Sequence, residues 1–522
     1  MPDDPLLAEA RARVAALRGA LEAAEDAPVR VIETHVSWVL LARQLAYKIK
    51  KPVCLAFLDF TSLAERRRCC DEELRLNRRF APDLYLDVID VRQGARGPSF
   101  GGSGEVVDAA VRMRRFADGA LWSERVASGT LQAAQLDAFA RRLAACHRDA
   151  AVAPPASGFG AAAGHARVVE GVVAAIAGWH SGHPSTAPEW PALRDWLREE
   201  LAGLDRHWRE RLHAGAVREC HGDLQLSNVV QLGDEAVAFD ALEFAAELRW
   251  IDPLDDVAFL VMDLLANGRR DLAFRFLDVY LEASGDHDGL PALRFFLVTR
   301  ALVRAQVCLL RNEGGAARAG HGETRRYLEL ASALAHGRDP RLAITCGLPG
   351  SGKTFASQSM LEAVGAVRVR SDVERKRLFG IASLQSSRGL GAGAIYDAAA
   401  NERTYERLFV VARTALLAGW PTVVDAAFLR RAERARFAAL AATLAAPFTI
   451  VACRADPPLL RQRVAARRDR GDDASEADVD VLERLTNAAE PLDATEAALA
   501  IVSDAGPQQS PGDLARRWKQ AR

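Results

Sequence analysis

Residues 347–354, which read Gly-Leu-Pro-Gly-Ser-Gly-Lys-Thr, constrain this chain more than any other segment. An apolar strand-like run precedes them, and a helix-compatible run follows. Glycines at these positions let backbone N–H groups wrap around a phosphate, and the start of the following helix adds its dipole. The lysine then reaches the β- and γ-phosphates, and the threonine hydroxyl binds Mg²⁺. The predicted nucleotide-binding residues are Gly347, Gly350, Ser351, Gly352, Lys353 and Thr354.

Length and composition set the outer limits of the interpretation. The 522 residues predict two or three domains, because single hydrophobic cores stop growing near roughly 250–300 residues. The formal net charge of -1 argues against a broad polyanion-binding surface. The eight cysteines show no metal-site spacing, the start MPDDP lacks a signal-peptide pattern, and no run approaches ~18 uninterrupted apolar residues. We therefore expect a cytoplasmic protein without a membrane partner.

The order of strand-like and helix-like segments predicts two different domains. Strand signals dominate up to about residue 117, with the glycine-rich segment 93–104 as a loop, and a mainly helical pattern continues to residue 335. A fresh strand–helix alternation then predicts a parallel sheet. We expect an α+β bilobal domain followed by an α/β domain. The predicted parts are a helical arm at 1–30, a small lobe at 31–117, a helical large lobe at 118–335, a linker at 336–340 and a nucleotide-binding domain at 341–522.

Charged residues near the predicted phosphate loop suggest catalytic roles. Asp372 follows the second strand of this domain, at the sheet edge where ligands bind, and is placed to accept a proton from a hydroxyl. Arg375, one helical turn on, is a candidate for holding a substrate or a transferring phosphoryl group. Asp425 ends an apolar strand and is a candidate Mg²⁺ ligand, although helix capping is the alternative for both acids. Arg463 and Arg467 either close over phosphates or form a solvated basic face.

Together these residues resemble the P-loop kinases, a group that includes polynucleotide kinase, chloramphenicol phosphotransferase, gluconate kinase and zeta-toxin-like proteins. The resemblance covers roughly residues 341–503. It implies that Asp372 is the base that acts on an acceptor hydroxyl. We expect Lys353 and Arg375 to act in catalysis beside it.

A second constellation lies at residues 221–228, which read His-Gly-Asp-Leu-Gln-Leu-Ser-Asn, with Asp240 twelve residues further on. Phosphoryl transfer needs a carboxylate that orients the attacking hydroxyl and oxygen ligands for Mg²⁺. Asp223 fits the first role. Asn228 and Asp240 fit the second.

This pattern resembles the aminoglycoside phosphotransferase group of the protein-kinase-like fold, whose loop reads HGDxxxxN. The resemblance covers about residues 31–330, although Gln225 stands where that group often has histidine. It implies an ATP-anchoring lysine paired with a glutamate on the following helix. Lys48 is favoured with Lys50 as the alternate, and Glu73 is favoured over Glu72.

The order of the two domains resembles a bacterial group in which an aminoglycoside phosphotransferase-like domain is fused to a P-loop domain. We expect a bifunctional, ATP- and Mg²⁺-dependent phosphotransferase that acts on hydroxyl groups of small molecules. One alternative is a nucleic-acid or nucleotide-sugar end kinase whose N-terminal domain recognises the substrate. Another is an ATP-binding switch without catalysis. The sequence assigns no oligomeric state.

Overall fold

The structure is a computed structural model that describes residues 5–55, 58–182, 187–312, 317–386, 395–470, 474–504 and 511–521. The side chains of residues 311–312, 317–321, 467–470 and 511 lie outside this description. The described residues divide into two compact units. Unit 1 comprises Met1–Gln135, Asp149–Gly160 and Leu212–Asp256, and unit 2 comprises Leu136–Arg148, Ala161–Arg211 and Val257–Arg522.

The described residues form helices and strands in nearly equal number. The helices are α1 Pro5–Glu25, α2 Leu63–Asn77, α3 Trp122–Ala127, α4 Ala133–Asp149, α5 Ala162–Gly182, α6 Trp190–Gly203, α7 Asp205–His213, α8 Pro253–Ala266, α9 Arg270–Ser284, α10 Leu290–Asn312, α11 Ala317–His336, α12 Lys353–Val364, α13 Ser371–Leu378, α14 Ala398–Leu417, α15 Arg431–Thr443, α16 Pro457–Arg470, α17 Val479–Ala488, α18 Ala494–Ala498 and α19 Pro511–Gln520. The strands are β1 Arg30–Glu33, β2 Ser37–Leu41, β3 Leu45–Lys50, β4 Cys54–Leu55, β5 Leu58–Asp59, β6 Tyr85–Gly94, β7 Gly97–Phe100, β8 Glu105–Arg114, β9 Arg218–Glu219, β10 Val229–Leu232, β11 Glu235–Ala238, β12 Trp250–Ile251, β13 Leu342–Cys346, β14 Val367–Arg370, β15 Thr422–Asp425, β16 Phe448–Arg454 and β17 Ala500–Asp504.

Unit 1 is built on a six-stranded antiparallel sheet with the order β1-β2-β3-β8-β6-β7. Helix α1 covers part of it, because its apolar residues Ala10, Val14 and Leu17 recur at helical spacing and pack into one cluster with Trp38 and Leu40 of β2. Helix α2 packs against β8 and β6. Glu73 of α2 contacts Lys48 and Lys50 of β3, and these contacts form the centre of the first of the two candidate sites.

The glycine-rich segment 93–104, expected to be a loop, contains strand β7, so that expectation is wrong for part of the segment. Strand β7 pairs antiparallel with β6, from Val91 opposite Phe100 to Gly94 opposite Gly97. The Phe100 ring stacks on Tyr47 with ring centroids 4.1 Å apart. The glycines supply the turn, and an aromatic contact from a distant strand holds the second arm in place.

Unit 2 contains a five-stranded parallel sheet with the order β14-β15-β13-β16-β17. Leu342 and Ile344 on β13 lie two residues apart and share a buried cluster with Val424, Leu408 and Phe437. The predicted phosphate loop connects β13 to α12. Strand β17 lies at the sheet edge and was not predicted from the sequence. The expected α+β part followed by an α/β part with a parallel sheet is confirmed.

One helical segment among the described residues, Pro155–Gly182, is long and apolar enough to cross a membrane by length and composition alone. Within α5, Val169, Val172 and Ile176 form a buried stripe at helical spacing. Length and composition are weak evidence for a span when one helix meets them.

Candidate active sites

Two lysines and three acids form a charged cluster in unit 1, named here the lysine–acid cluster (Lys48, Lys50, Glu73, Asp240 and Glu243). Lys48 and Lys50 share a face of β3 because they lie two residues apart. Lys48 Nζ donates to Glu73 Oε1 at 2.8 Å and to Asp240 Oδ1. Lys50 Nζ donates to Glu73 Oε2 at 2.8 Å and to Glu243 Oε1. One glutamate on α2 therefore bridges both lysines.

Within this cluster, Lys48 and Asp240 shift each other's pKa towards the ionised form. Burial opposes the charge of Lys48, but Asp240 and Glu73 raise the pKa of its ammonium group above the usual value. Burial likewise opposes the charge of Asp240, and Lys48 lowers the pKa of that carboxyl group. The Asp240 side chain is 42% exposed whereas that of Glu73 is fully buried, so Asp240 is the acid of this pair that faces solvent.

The structure separates the two alternatives that the sequence left open. Glu73 contacts both lysines, whereas Glu72 pairs with Arg75 and Arg249. Of the lysines, Lys48 contacts Asp240, and Lys50 has Glu243 as its second partner.

The loop that contains Asp223 brings together the other predicted residues of unit 1. Asn228 Nδ2 donates to Asp223 Oδ2 and to the Asp223 backbone oxygen, at 2.9 Å in each case. Gln225 Nε2 donates to the same carboxylate oxygen at 3.0 Å. The Phe239 amide donates to the backbone oxygen of Asn228 at 2.9 Å, which ties the loop to the segment that carries Asp240.

Asp240 lies in a backbone conformation that few side chains adopt. Its φ is +63°, in the left-handed region that aspartate tolerates better than most residues. Its amide donates to Tyr85 Oη at 3.0 Å, and the next amide, of Ala241, donates to Asn77 Oδ1 at 2.9 Å. These two bonds to buried side chains hold the turn and aim the carboxylate at Lys48.

Asp256 supports the same loop from α8, a role that the sequence did not reveal. Its carboxylate accepts hydrogen bonds from the backbone amides of His221 at 3.0 Å and Gly222 at 2.9 Å. Asp252, by contrast, accepts from the Leu254 amide at the start of α8, as a helix-capping acid does. Gly222 has a φ of +86°, and a Cβ there would lie 2.8 Å from the Leu248 backbone oxygen.

The phosphate loop of unit 2 has the close backbone approaches that its glycines predict. Gly347 has a φ of +155°, and a Cβ at this position would lie 2.4 Å from the Cys453 backbone oxygen. Lys353 Nζ folds back over the loop and donates to the backbone oxygens of Gly347 and Leu348, both at 3.0 Å. Ser351 is buried, and its Oγ has no hydrogen-bond partner among the described residues.

Asp425 ends β15 beside the phosphate loop and is 5% exposed. Ser357 Oγ of α12 donates to Asp425 Oδ2 at 3.1 Å, and Thr345 Oγ1 lies 3.4 Å from Oδ1. Arg370 Nε lies 3.7 Å from Oδ2. Strand pairing of Arg370 with Asp425 explains this last contact.

A cavity of about 440 Å³ brings together the remaining predicted residues of unit 2. Lys353, Thr354, Asp372, Arg375 and Asp425 all line it. Asp372 lies in the first turn of α13, whose N-cap is Arg370. A second cavity, of about 1000 Å³, is lined by Gly347, Ser351 and residues 452–456.

Arg375 is buried in the wall of the smaller cavity without a carboxylate partner among the described residues. Its guanidinium group donates to the Ile395 backbone oxygen at 3.1 Å and to Asn401 Oδ1 at 3.0 Å, and it lies over the Tyr396 ring. Its Nε has no hydrogen-bond partner in the described part of the chain. A buried cation left without an anion is costly, so this site is suited to an anionic ligand.

Arg463 and Arg467 both lie on helix α16, and the structure describes the side chain of Arg463. Arg463 Nη1 donates to the Gly350 backbone oxygen at 3.2 Å, so it contacts the phosphate loop. Arg467 lies on α16, but its side chain is outside the described residues.

Comparisons with known proteins give a family match that lies within unit 2. The AAA domain family model matches residues 342–492. The Mycobacterium tuberculosis protein named Uncharacterized protein Rv2004c is 30% identical over 457 residues, which cover 86% of this chain and 88% of that protein. The chain belongs to the family of this protein. Uncharacterized protein Mb2027c of Mycobacterium bovis matches with the same identity and coverage.

Solved structures also show likeness to each half. A choline/ethanolamine kinase family protein from Mesorhizobium loti is 15% identical, covers 63% of this chain and 95% of its own, and has a TM-score of 0.37. Kti12 of Chaetomium thermophilum is 14% identical, covers 35% of this chain and 99% of its own, and has a TM-score of 0.28. The sheet topology and the family match show an α+β part with an antiparallel sheet followed by a P-loop domain with a parallel sheet.

Proposed function

We propose that this family member is an ATP- and Mg²⁺-dependent phosphotransferase with two separate ATP sites, each of which transfers the γ-phosphoryl group to an alcohol. The observation that supports this proposal is that each unit holds its own group of cationic side chains beside carboxylate, amide or hydroxyl oxygens of the kind that bind Mg²⁺. The lysine–acid cluster with Asp223 and Asn228 forms one set, and the phosphate loop with Asp425 forms the other.

The unit 1 residues fit the requirements of phosphoryl transfer. The Lys48–Glu73 ion pair is the arrangement that anchors ATP phosphates in kinases, and Asp240 beside it would hold Mg²⁺ together with Asn228. Both are oxygen donors, which Mg²⁺ prefers. Asp223 would orient the acceptor hydroxyl, and Asn228 Nδ2 and Gln225 Nε2 hold its carboxylate in one orientation. A bound Mg²⁺ would neutralise charge on the ATP phosphates.

The unit 2 residues fit a second nucleotide. Ser351 has a buried hydroxyl without a partner among the described residues, and Lys353 donates only to loop carbonyl oxygens that phosphate oxygens would replace. Thr354 and Asp425 would hold Mg²⁺ in this site, and Asp372 would accept the proton of the acceptor hydroxyl. The larger cavity, which shares Gly347 and Ser351, has room for the base and sugar of ATP.

The smaller cavity favours a small acceptor that carries an anionic group beside its hydroxyl. Arg375 lacks a carboxylate partner in the described chain and lies over the Tyr396 ring. The described arginines of α16 support a small molecule over a nucleic acid, because Arg463 contacts Gly350 and Arg461 lies 3.7 Å from Glu483. The acceptor of unit 1 is a neutral or weakly charged alcohol in this proposal.

A labelled-ATP screen of a metabolite extract tests the proposal on four proteins: wild type, Asp223→Ala, Lys353→Ala and the double variant. Each single substitution should remove one set of labelled products and spare the other, and the double variant should label nothing. Equilibrium binding should find two ATP sites in the wild type. Chelation of Mg²⁺ with EDTA should stop both activities.

Two outcomes would contradict the proposal. If one single substitution removes every labelled product, the two sites do not act separately. If the double variant keeps its activity, the phosphoryl transfer takes place elsewhere in the chain.

A further inference from the structure

Helix α9 lies outside the P-loop family match yet contacts the strand that leads to the unit 2 site. Asp278 and Glu282 lie four residues apart on α9 and so share one helix face. Arg368 and Arg370 lie two residues apart on β14 and so share one strand face. The two faces meet in acid–base pairs, and both elements belong to unit 2.

The first pair is buried and well oriented. Arg368 Nη2 lies 2.6 Å from Asp278 Oδ2, and Arg368 Nε lies 3.1 Å from Oδ1, which is the two-pronged geometry of strong guanidinium–carboxylate contacts. Both side chains are nearly inaccessible to solvent. Arg368 Nη1 also donates to Ser357 Oγ at 3.2 Å, the hydroxyl that donates to Asp425.

The second pair reaches Asp425 directly. Arg370 Nη1 lies 3.4 Å from Glu282 Oε1, and Arg370 Nε lies 3.7 Å from Asp425 Oδ2. The Arg370 guanidinium group therefore lies between two carboxylates, one on α9 and one beside the phosphate loop. Glu282 Oε1 also lies 3.5 Å from Arg368 Nη2. Together with helix α9, these contacts form a closed ring of six residues: Asp278, Glu282, Ser357, Arg368, Arg370 and Asp425.

We propose that Asp278 and Glu282 are positioning residues for the metal-binding carboxylate of the P-loop site, a role that rests on the function proposed above for Asp425. The Glu282 carboxylate attracts the Arg370 guanidinium group and so weakens the contact of that group with Asp425. The Asp425 carboxylate then stays available to Mg²⁺. Asp278 holds Arg368, and through it Ser357, so that one hydrogen bond orients Asp425. Outer partners of this kind tune metal affinity by about 10–100-fold.

The charges around Asp425 determine whether the loss of Glu282 strengthens or weakens Mg²⁺ binding. Loss of the Glu282 carboxylate strengthens the attraction between the Arg370 guanidinium group and Asp425, and that group then competes more with the metal ion. The loss of Glu282 therefore weakens Mg²⁺ binding and leaves the phosphate loop, which binds ATP through other groups, unchanged.

The test compares Glu282→Gln with Glu362→Gln, each in the Asp223→Ala background that silences the unit 1 site. Glu362 on α12 is a matched control, because it forms another ion pair with α9, through Arg275, and takes no part in the ring. Glu282→Gln should raise the Mg²⁺ concentration for half-maximal ATP turnover about tenfold. ATP affinity measured in EDTA should change less than about twofold, and Glu362→Gln should shift neither value.

Rescue and a turnover-free measurement complete the test. Glu282→Asp keeps the charge and should recover most of the Mg²⁺ affinity. Electron paramagnetic resonance of Mn²⁺ with ADP gives the metal affinity even if the parent protein turns over no ATP, an outcome that would contradict the proposed function alone. Equal metal affinity in Glu282→Gln and its parent, or an equal loss in Glu362→Gln, would overturn the positioning role. A parallel loss of metal-free ATP affinity would show a merely structural effect and would also overturn it.

Discussion

The ammonium group of Lys50 lies 2.8 Å from Oε2 of Glu73, and both side chains are buried. Lys48 occupies the other oxygen of the same carboxylate, and it alone of the two lysines also contacts Asp240. Lys50 is turned instead towards Glu243, a buried acid. In the proposed function the two lysines therefore have different roles: Lys48 contacts the nucleotide, and Lys50 neutralises acids in the interior.

Substitution by methionine should separate these roles. Lys48→Met, measured in the Lys353→Ala background, should abolish ATP turnover by unit 1 because the phosphate-facing cation is lost. Lys50→Met should lower the free energy of unfolding by about 3–5 kcal/mol, since it leaves Glu243 buried without its cation. Turnover per folded molecule should survive in Lys50→Met. Turnover kinetics and chemical denaturation measure the two effects, and loss of turnover by Lys50→Met with unchanged stability would reverse the assignment.

Sequence patterns predicted the fold class and the local parts of each site, although they missed strands β7 and β17. The spacing of Asp223, Asn228 and Asp240 predicted one loop, in which Asn228 does contact Asp223. The glycines of residues 347–352 predicted a second loop, in which Gly347 does lie close to the Cys453 backbone. These patterns work because the residues act through short-range backbone geometry. The same patterns placed Lys48 and Glu73 on neighbouring elements, and tertiary packing was needed to choose them over Lys50 and Glu72.

Residues that meet across long sequence separations showed no pattern in the sequence that could pair them. Asp256, which holds the loop of Asp223, lies in the first turn of α8, where acids commonly cap helices, and nothing in the sequence distinguishes it from such an acid. Glu282 meets Arg370 across 88 residues of sequence. A single sequence offers no periodicity that links such pairs, so only the packed structure reveals them.

The close approach at Gly347 predicts a severe effect of a single methyl group. In Gly347→Ala, the new Cβ would lie 2.4 Å from the Cys453 backbone oxygen, so the phosphate loop must shift. A displacement of about 1 Å at a reacting centre costs about 10²-fold in rate, and we expect ATP turnover by unit 2 to fall by that factor. The measurement is turnover in the Asp223→Ala background.

Gly380→Ala is the control for backbone strain. Gly380 also has a positive φ, of +70°, but a Cβ there would meet no atom within 4 Å. This variant should lose about 1–2 kcal/mol of stability from the left-handed conformation and keep its turnover. Equal turnover losses in both variants would show that strain, and not the clash with Cys453, matters at Gly347.

Lys376 is a buried structural cation. Its Nζ donates to the backbone oxygens of Ser383 at 3.0 Å and Gln385 at 2.8 Å, and it lies 2.9 Å from Glu476 Oε1. Lys376→Met should therefore destabilise the protein by about 3–5 kcal/mol. Lys519→Met, at an exposed position of α19, should change stability by less than about 0.5 kcal/mol. Thermal and chemical denaturation compare them, and equal stability of the two variants would contradict the structural role.

His287, between α9 and α10, should make stability depend on pH. It is 2% exposed and lies near Glu374, Arg377 and Arg407. Burial lowers the pKa of His287 below the ordinary value of 6.5, and the two arginines lower it further, while Glu374 acts in the opposite direction. The native state therefore keeps this imidazole neutral at a pH where the unfolded chain has begun to bind a proton.

The sign of the effect follows from that difference in proton binding. Above pH 6.5 both states hold His287 neutral, and below it the unfolded state gains a proton that the native state does not, so the free energy of unfolding falls as the solution is acidified. Between pH 7.5 and 5.5 the wild type should lose about 1 kcal/mol more than His287→Gln, because glutamine does not titrate. Urea denaturation at both pH values measures this difference. If the wild type gains stability over this interval relative to His287→Gln, then Glu374 and not burial controls the histidine, and its pKa in the folded protein lies above 6.5.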